Sequence, residues 1–436
     1  MGYDFVDSLP PPLGGRGLRP LMAPDGERQQ LAALAATLPQ VEISGRAFGD
    51  LVMLGLGGFT PLGGFMGRAD WQSVCRSLTL ADGTFWPLPI VLDVAEAAGE
   101  LLGKRITLTH HGRQAALMEV AEVWRMDEED LWFEAISVFR GRGPDSECFE
   151  ATAPQRHPGV RQVLGRGRIY LAGPLKVLTT EGRPNSFMPG PLEFRKLAEE
   201  KGWKNIICLQ LRNPPHRSHE YLARLGLEVG DCLLIHTPIG ALKPGDLPLD
   251  IRRRCIQALI DNYLPADRTI LAGYPLDMRY AGPREALLHA AFRQNYGVAV
   301  QIVGRDHAGV GDFYNPFESQ EIFDKLPHSG QPGRDLLTRP LKVSWAFFCR
   351  RCDSMASLQT CPHSREDWVL QSGSALRKNF TEKTPPPPHF IREEILQILT
   401  DYYQSAPPTG PVSLFGAASG QALERLSAPL NPIKKS

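Results

Sequence analysis

From Phe194 onward the hydrophobic pattern alternates between two periods. Compact apolar runs at 205–211, 231–237, 268–273, 298–303 and 341–348 alternate with stretches whose apolar positions recur every three or four residues. The runs predict buried strands, and the stretches at about 216–226, 249–263 and 283–295 predict helices. In 249–263, for example, Ile251, Cys255, Ile256, Leu259, Ile260 and Tyr263 fall on one stripe. Strands and helices in strict alternation imply right-handed βαβ units on a parallel sheet. Ligands of such sheets bind beyond the carboxyl ends of the strands.

Before Phe194 the texture differs. Residues 1–40 are rich in Pro and Gly and then turn helical, from Glu27 to Leu38. From 41 to about 170, short apolar runs are broken by Gly, Pro and Asp: Phe85 to Val94, Arg105 to Leu108, Gln114 to Val123 and Leu131 to Val138. That spacing predicts a mainly β region with a few helices. Pro154 to Gly167 reads as a polar connection. The expected division is an N-terminal β domain (1–168), an α/β domain (169–336), a smaller subdomain (337–403) and a Ser-, Pro- and Gly-rich flexible tail (404–436). A stiff Pro run at 384–389 precedes a helix from Arg392 to Tyr403.

Charge narrows the functional classes. The 436 residues include 48 Lys plus Arg and 48 Asp plus Glu, so the formal net charge is zero. Binders of nucleic acid show a basic excess, so no nucleic-acid partner is expected. No apolar run reaches the length of a membrane span, and Met1 to Pro12 lacks the basic start and apolar core of a secretory signal. The expectation is a cytoplasmic protein without a membrane partner. Its Cys208, Cys232 and Cys255 lie in apolar runs and read as small buried hydrophobes.

The richest stretch for chemistry is 210–222, Gln-Leu-Arg-Asn-Pro-Pro-His-Arg-Ser-His-Glu-Tyr-Leu. It follows a predicted strand and opens a helix, with Asn213 as N-cap and Pro214 in the first turn. Arg212, His216 and His219 then converge on a helix N-terminus, an environment for phosphate. The pattern alone fits a capped surface helix equally well. Gly304-Arg-Asp-His-Ala-Gly-Val-Gly311 also follows a strand, and its small residues let backbone N–H groups approach an anion. Arg279 and Arg284 flank the start of the third helix, and Lys243 precedes a Pro-Gly-Asp turn. Cys349, Cys352, Cys361 and His363 have the spacing of a structural zinc site, with His363 the least certain ligand.

The motif Gln-x-Arg-Asn-Pro-x-His-x-x-His at 210–219 occurs with Gly55 to Met66, Gly240 to Asp246, Met278 to Leu287, Val303 to Tyr314 and Gln371 to Arg377. In this order the motifs resemble the ATP sulfurylase (sulfate adenylyltransferase) family, over about residues 10–403. No Gly-x4-Gly-Lys-Ser/Thr loop occurs, so the resemblance is to the form without a fused kinase for adenosine 5′-phosphosulfate (APS). It implies an N-terminal PUA-like β-barrel, a Rossmann-like nucleotidyltransferase α/β domain of the HIGH type and a small C-terminal α/β subdomain. The implied reaction converts MgATP and sulfate reversibly to APS and pyrophosphate, by in-line attack of sulfate on the α-phosphorus. Gln210, Arg212 and the backbone of Ala308 would hold sulfate. Gln210, Leu211, Arg212, Asn213, Gly304, Arg305, Asp306 and His307 would hold ATP. Arg212, Asn213, His216 and His219 would carry catalysis, with Lys243 and Arg279 as further contacts for the leaving group. Mg²⁺ would accompany ATP, the cysteine cluster resembles the zinc site of one subset of the family, and a homo-oligomer, first a dimer, is expected. Leu211 stands where many members carry Thr, and Ser374 ends a Ser-Gly-Ser where many have Ser-Gly-Thr.

Overall fold

The computed structural model describes residues 7–94, 100–179, 185, 187–240, 247–370, 376, 379, 382 and 384–405. Lys243 with its Pro-Gly-Asp turn, most of the 371–377 motif and the chain beyond 405 lie outside the described residues.

The N-terminal half contains two small sheets. Strands β1 (Gln40–Glu42), β3 (Arg105–His110), β4 (Arg113–Glu119) and β7 (Leu175–Val177) form one, in the order β1-β3-β4-β7. Strands β2 (Leu92–Val94), β5 (Glu122–Arg125) and β6 (Ile169–Ala172) form the other, in the order β2-β6-β5. β6 and β7 complete these sheets, so the chain stays with the N-terminal half past the boundary at 168 read from the sequence. Helices take more of this half than the mainly β reading expected: α1 (Asp25–Ala35), α2 (Gly45–Leu56), α3 (Arg68–Ser77), α4 (Glu128–Phe139), α5 (Phe149–Arg156) and α6 (Pro158–Leu164).

Two of these helices correct the sequence reading. Leu131 to Val138 is part of α4, not a strand. Asp127 caps the helix by accepting from the Asp130 N–H at 2.9 Å, and three acidic residues occupy its first turn. Its buried positions Leu131, Glu134, Ala135 and Val138 follow the helical period. Pro154 to Gly167 is also helical rather than a polar connection. The His157 ring caps α6 by accepting from Gly159 N–H at 3.1 Å, and Pro158 fits the first turn.

The second half matches the predicted alternation closely. Strands β8 (Ile206–Gln210), β9 (Cys232–Pro238), β10 (Thr269–Tyr274), β11 (Val298–Val303) and β12 (Arg339–Lys342) are all parallel, in the order β10-β9-β8-β11-β12. Helix α7 (Pro191–Lys201) leads into β8, and α8 (Arg217–Glu228), α9 (Leu249–Tyr263) and α10 (Pro283–Asn295) make the crossovers. Side chains alternate between faces: Ile206 and Cys208 join the core shared with the N-terminal half, Ile207 and Leu209 the core under α8 and α9. Helix α10 packs on the first face through Leu287, Leu288 and Ala291. The chain thus runs outward from β8 to β10 on one face and returns beside β8 by way of the other. The boundary between β8 and β11 is the switch point of the sheet, where strand ends diverge and a crevice opens.

The run 341–348 is two strands rather than one. β12 ends at Lys342, where Gln320 Nε2 donates to the carbonyls of Val303 (2.7 Å) and Val343 (2.8 Å). After a break, β13 (Ala346–Cys349) pairs antiparallel with β14 (Ser354–Ser357) and β15 (Trp368–Val369). The final helix, Glu393–Ser405, buries Ile395, Ile398 and Leu399 in the core under α9.

Candidate active site

β8 delivers Gln210 to its carboxyl end, and residues 211–216 form a loop before α8. The expected N-cap, Asn213, is therefore corrected: α8 starts at Arg217 and His216 is its cap. Two prolines at 214 and 215 hold the backbone extended, which delays the helix. His216 Nδ1 accepts from Ser218 N–H and His219 Nδ1 accepts from His216 N–H, both at 3.3 Å, so the two rings close a reciprocal capping box. With each Nδ1 an acceptor, the ring proton belongs on Nε2. Burial, with His219 adjacent, pushes the His216 pKa well below its ordinary value, and burial takes His219 to about 4. The pair therefore meets a ligand as neutral Nε2–H donors, 4.0 Å between ring centroids, with Phe390 stacked on His216. Arg252 braces this loop, donating to the Arg212 carbonyl at 3.4 Å and to the Pro238 carbonyl at 3.0 Å.

β11 ends at the second motif. Asp306 and Ala308 both sit in the left-handed region, at φ 55° and 57°. This is a costly conformation for a residue with a β-carbon, and such outliers cluster at ligand sites. The turn is held by Asp306 N–H to the Pro316 carbonyl at 2.8 Å and by Gly282 N–H to the Ala308 carbonyl at 3.0 Å. His307 faces His289 across 3.1 Å between ring nitrogens. Burial first, then the charges of Arg293 and Arg212, lower its pKa to about 3. Burial raises the Asp306 pKa against the opposing pull of Arg305.

The two strand ends share one cavity of about 370 Å³. Gln210, Arg212, Asn213, His216 and His219 line it from the β8 side, and Gly304 through Ala308 from the β11 side. Two of its donors are short of acceptors among the described residues. Arg212 Nη1 is buried with no hydrogen bond, and its guanidinium rests 5.4 Å over the Tyr280 ring rather than on a carboxylate. Gln210 Nε2 reaches only Met278 Sδ, at 3.9 Å. Positive groups and free N–H groups without acceptors are the signature of an anion site.

Three of the expected contacts fall elsewhere. Leu211 is 1% exposed and packs in the core under α8 and α9, so its side chain does not line the cavity. Arg279 is buried against Asp50 and lines a different cavity, toward the N-terminal half. Arg284 spends its donors on the carbonyls of Val74, Cys75 and Pro87. Sequence reasoning missed the wall built by the C-terminal part, where Ser344, Trp345, Val369, Leu370 and Phe390 line the cavity. Trp345 lies beneath the Arg305 guanidinium at 4.4 Å. The interruption of the 341–348 run was the signal: an aromatic between two strands stands at a strand end.

The cysteine cluster assembles as expected. Ligand atoms of Cys349, Cys352, Cys361 and His363 lie within 4.8 Å of one another. His363 Nδ1 is 3.4, 3.2 and 3.8 Å from the three sulfurs, spacings close to the edges of a tetrahedron around one metal ion. These four residues are fit to hold a metal such as zinc, with no ligand position left open.

An open parallel sheet with a donor-lined cavity at its switch point, beside a histidine-capped helix, defines a protein built to hold phosphate-bearing ligands. Residues 185–402 match the family described as ATP-sulfurylase, and residues 10–180 match a PUA-like domain. A sulfate adenylyltransferase of Desulfovibrio desulfuricans is 50% identical over 424 residues, covering 96% of this chain and all of that one. Those of Desulfatibacillum aliphaticivorans (51%; 95% of this chain, 100% of that one) and Entamoeba histolytica (46%; 92% and 93%) are similar. The solved structure of a hexameric APS kinase from Thiobacillus denitrificans shares the fold, with a TM-score of 0.67 at 23% identity, over 92% of this chain and 69% of that one. The chain belongs to the ATP-sulfurylase family.

Proposed function

We propose that this protein is a nucleotidyltransferase, a sulfate adenylyltransferase that converts MgATP and sulfate reversibly to APS and pyrophosphate. The observation that carries the reading is the single cavity between the ends of β8 and β11, where Arg212, with its Nη1 unsatisfied, and Gln210, whose Nε2 meets only a thioether, face the turn at Gly304 to Ala308.

The chemistry sets the roles. Sulfate must approach a phosphate that is also negative, so the barrier is charge repulsion and orientation rather than a want of nucleophile. Arg212, Gln210 and the Ala308 N–H hold sulfate at the strand ends, and Arg212 then offsets charge at the α-phosphorus as the new O–P bond forms in line with departing pyrophosphate. Neutral His216 and His219 donate from Nε2 to the phosphate oxygens on the leaving side. Asn213 and the turn Gly304 to His307 hold the nucleotide, with the Arg305–Trp345 stack as its outer wall. Mg²⁺ bound with ATP would offset charge on the outer phosphates. Zinc on Cys349, Cys352, Cys361 and His363 has a structural role, because four protein ligands close the site.

The same reading includes a division near residue 180 between a PUA-like unit and the catalytic unit, a C-terminal unit from about 337, a homo-oligomer (dimer first) and a cytoplasmic setting. None of the described helices is long and apolar enough to cross a membrane. The deciding experiment is ATP synthesis from APS and pyrophosphate, with metal content measured on the same sample. No ATP from APS and pyrophosphate, together with no pyrophosphate from ATP and sulfate, would remove the assignment, and one zinc per chain is expected.

A further inference from the structure

Beneath the cavity, on α10, Arg293 is 0% exposed. Its guanidinium is held by two side-chain amides: Nη1 donates to Gln301 Oε1 and Nη2 to Gln210 Oε1, each at 2.8 Å. The rings of Phe292 and Tyr274 stand 5.1 and 5.5 Å from its Cζ. Nε has no partner, and among the described residues no carboxylate lies in ion-pair range. A buried cation without a counter-ion costs several kcal/mol, so its retention demands a reason.

The connections supply one. Arginine only donates, so the atom of Gln210 facing it must be the amide oxygen. That choice turns Gln210 Nε2 outward, to the cavity. Gln301 is fixed likewise, since its Nε2 donates to the Ala286 carbonyl at 3.1 Å. Donation therefore runs outward from Arg293 along two arms, through Gln301 to the Ala286 carbonyl and through Gln210 to an amide N–H that faces the cavity, where Met278 Sδ is its weak acceptor.

We infer that Arg293 is the positioning residue of the oxyanion subsite: it sets the Gln210 amide to donate, and its unpaired charge beneath the strand ends is matched only when the substrate oxyanion binds. The ligand class is a fully ionised tetrahedral oxyanion, sulfate first, and the inference rests on the adenylyltransferase reading above. Arg293 does not line the cavity and touches no reacting atom.

The test uses the full-length protein with inorganic sulfate and ATP. Arg293→Met should raise the KM for sulfate by about 10- to 100-fold, the loss of a charged hydrogen bond, and leave the KM for ATP within about threefold. Arg293→Lys keeps the charge without the fork and should fall between. Gln301→Met lies outside the cavity and should produce a weaker version of the same split; it decides the matter if Arg293→Met does not fold. Gln210→Ala combined with Arg293→Met should cost much less than the product of the two single effects. Folded variants that retain the wild-type sulfate KM, or that lose ATP and sulfate binding alike, overturn the inference. A wild-type protein without sulfate-dependent turnover removes the functional reading and this inference with it.

Discussion

Two cavities of this molecule are lined by arginine, and they treat the charge in opposite ways. The cavity toward the N-terminal half, about 190 Å³, is lined by Arg46, Arg166 and Arg279. Arg279 pairs with Asp50, Arg166 meets Glu134 at 2.7 Å, and Arg46 leans on the Met278 carbonyl at 3.4 Å. At the switch point, Arg212 and the underlying Arg293 have no carboxylate against them among the described residues. A paired buried cation is part of the scaffold; an unpaired one is incomplete until a ligand arrives. The difference explains why Arg279, a plausible phosphate contact by its place before a helix, takes no part in the candidate site.

The largest expected effect tests the unpaired side. Arg212→Ala should lower sulfate-dependent pyrophosphate release by about a thousandfold, in line with removing a preorganised group from the developing charge. Thermal stability should hold or rise, because the variant deletes a charge that the free protein leaves unmatched. Turnover near wild type in a folded variant would end the assignment of Arg212. On the paired side, Arg166→Met should do the reverse. Stranding Glu134, which also accepts from Trp71 Nε1 at 2.8 Å, should cost about 3 kcal/mol in urea unfolding, with the sulfate KM unchanged. Intact stability with weakened sulfate binding would make the second cavity a ligand site and erase the distinction.

A smaller effect separates charge from hydrogen bonding within the site. His219→Ala should slow the reaction about a hundredfold in both directions, and kcat/KM of the wild type should show no histidine inflection near pH 6.5. Burial holds the His219 pKa at about 4, so its neutral form already dominates above that value and raising the pH removes no proton from it. A loss of activity as pH rises through 6.5 would mean that a cationic imidazole does the work.

What could be read in the sequence follows from how local each signal is. Strands β8 to β11 and helix α9 carry clear apolar patterns, whereas α10 is buried from Glu285 to Asn295 on every side, polar residues included, which no apolar stripe announces. Both motifs were legible because each follows a strand directly. The N-terminal half failed where local chemistry overrode the pattern: a run with apolar neighbours at Leu131 became a helix because Asp127 and its acidic first turn cap one. The cap of α8 was misplaced because Asn213 is the better capping type, whereas two prolines carry the chain to His216 before it can coil. Arg293 was invisible for a different reason. Its meaning lies in its contact with Gln210, 83 residues away in sequence and brought near only by the parallel pairing of β8 with β11.

The mildest prediction concerns the wall that the sequence did not disclose. Trp345 stands in the break between β12 and β13, with the Arg305 guanidinium at 4.4 Å over its ring. The Arg305–Asp306 ion pair, 3.3 Å apart, is 38% and 53% exposed and adds little to holding that guanidinium in place. The indole does more, because a flat aromatic face attracts a guanidinium by about 0.5–1 kcal/mol even at an exposed site. Trp345→Ala should therefore raise the KM for ATP by about two- to fivefold and leave kcat and the KM for sulfate close to wild type. Such a split would assign the two sides of the cavity to different tasks: unpaired donors at the strand ends for the oxyanion, an aromatic wall from the C-terminal part for the nucleotide. A shift in the sulfate KM instead would show that Trp345 acts through Arg305 on the strand ends, and the contrast between paired and unpaired arginines would then have to include Arg305.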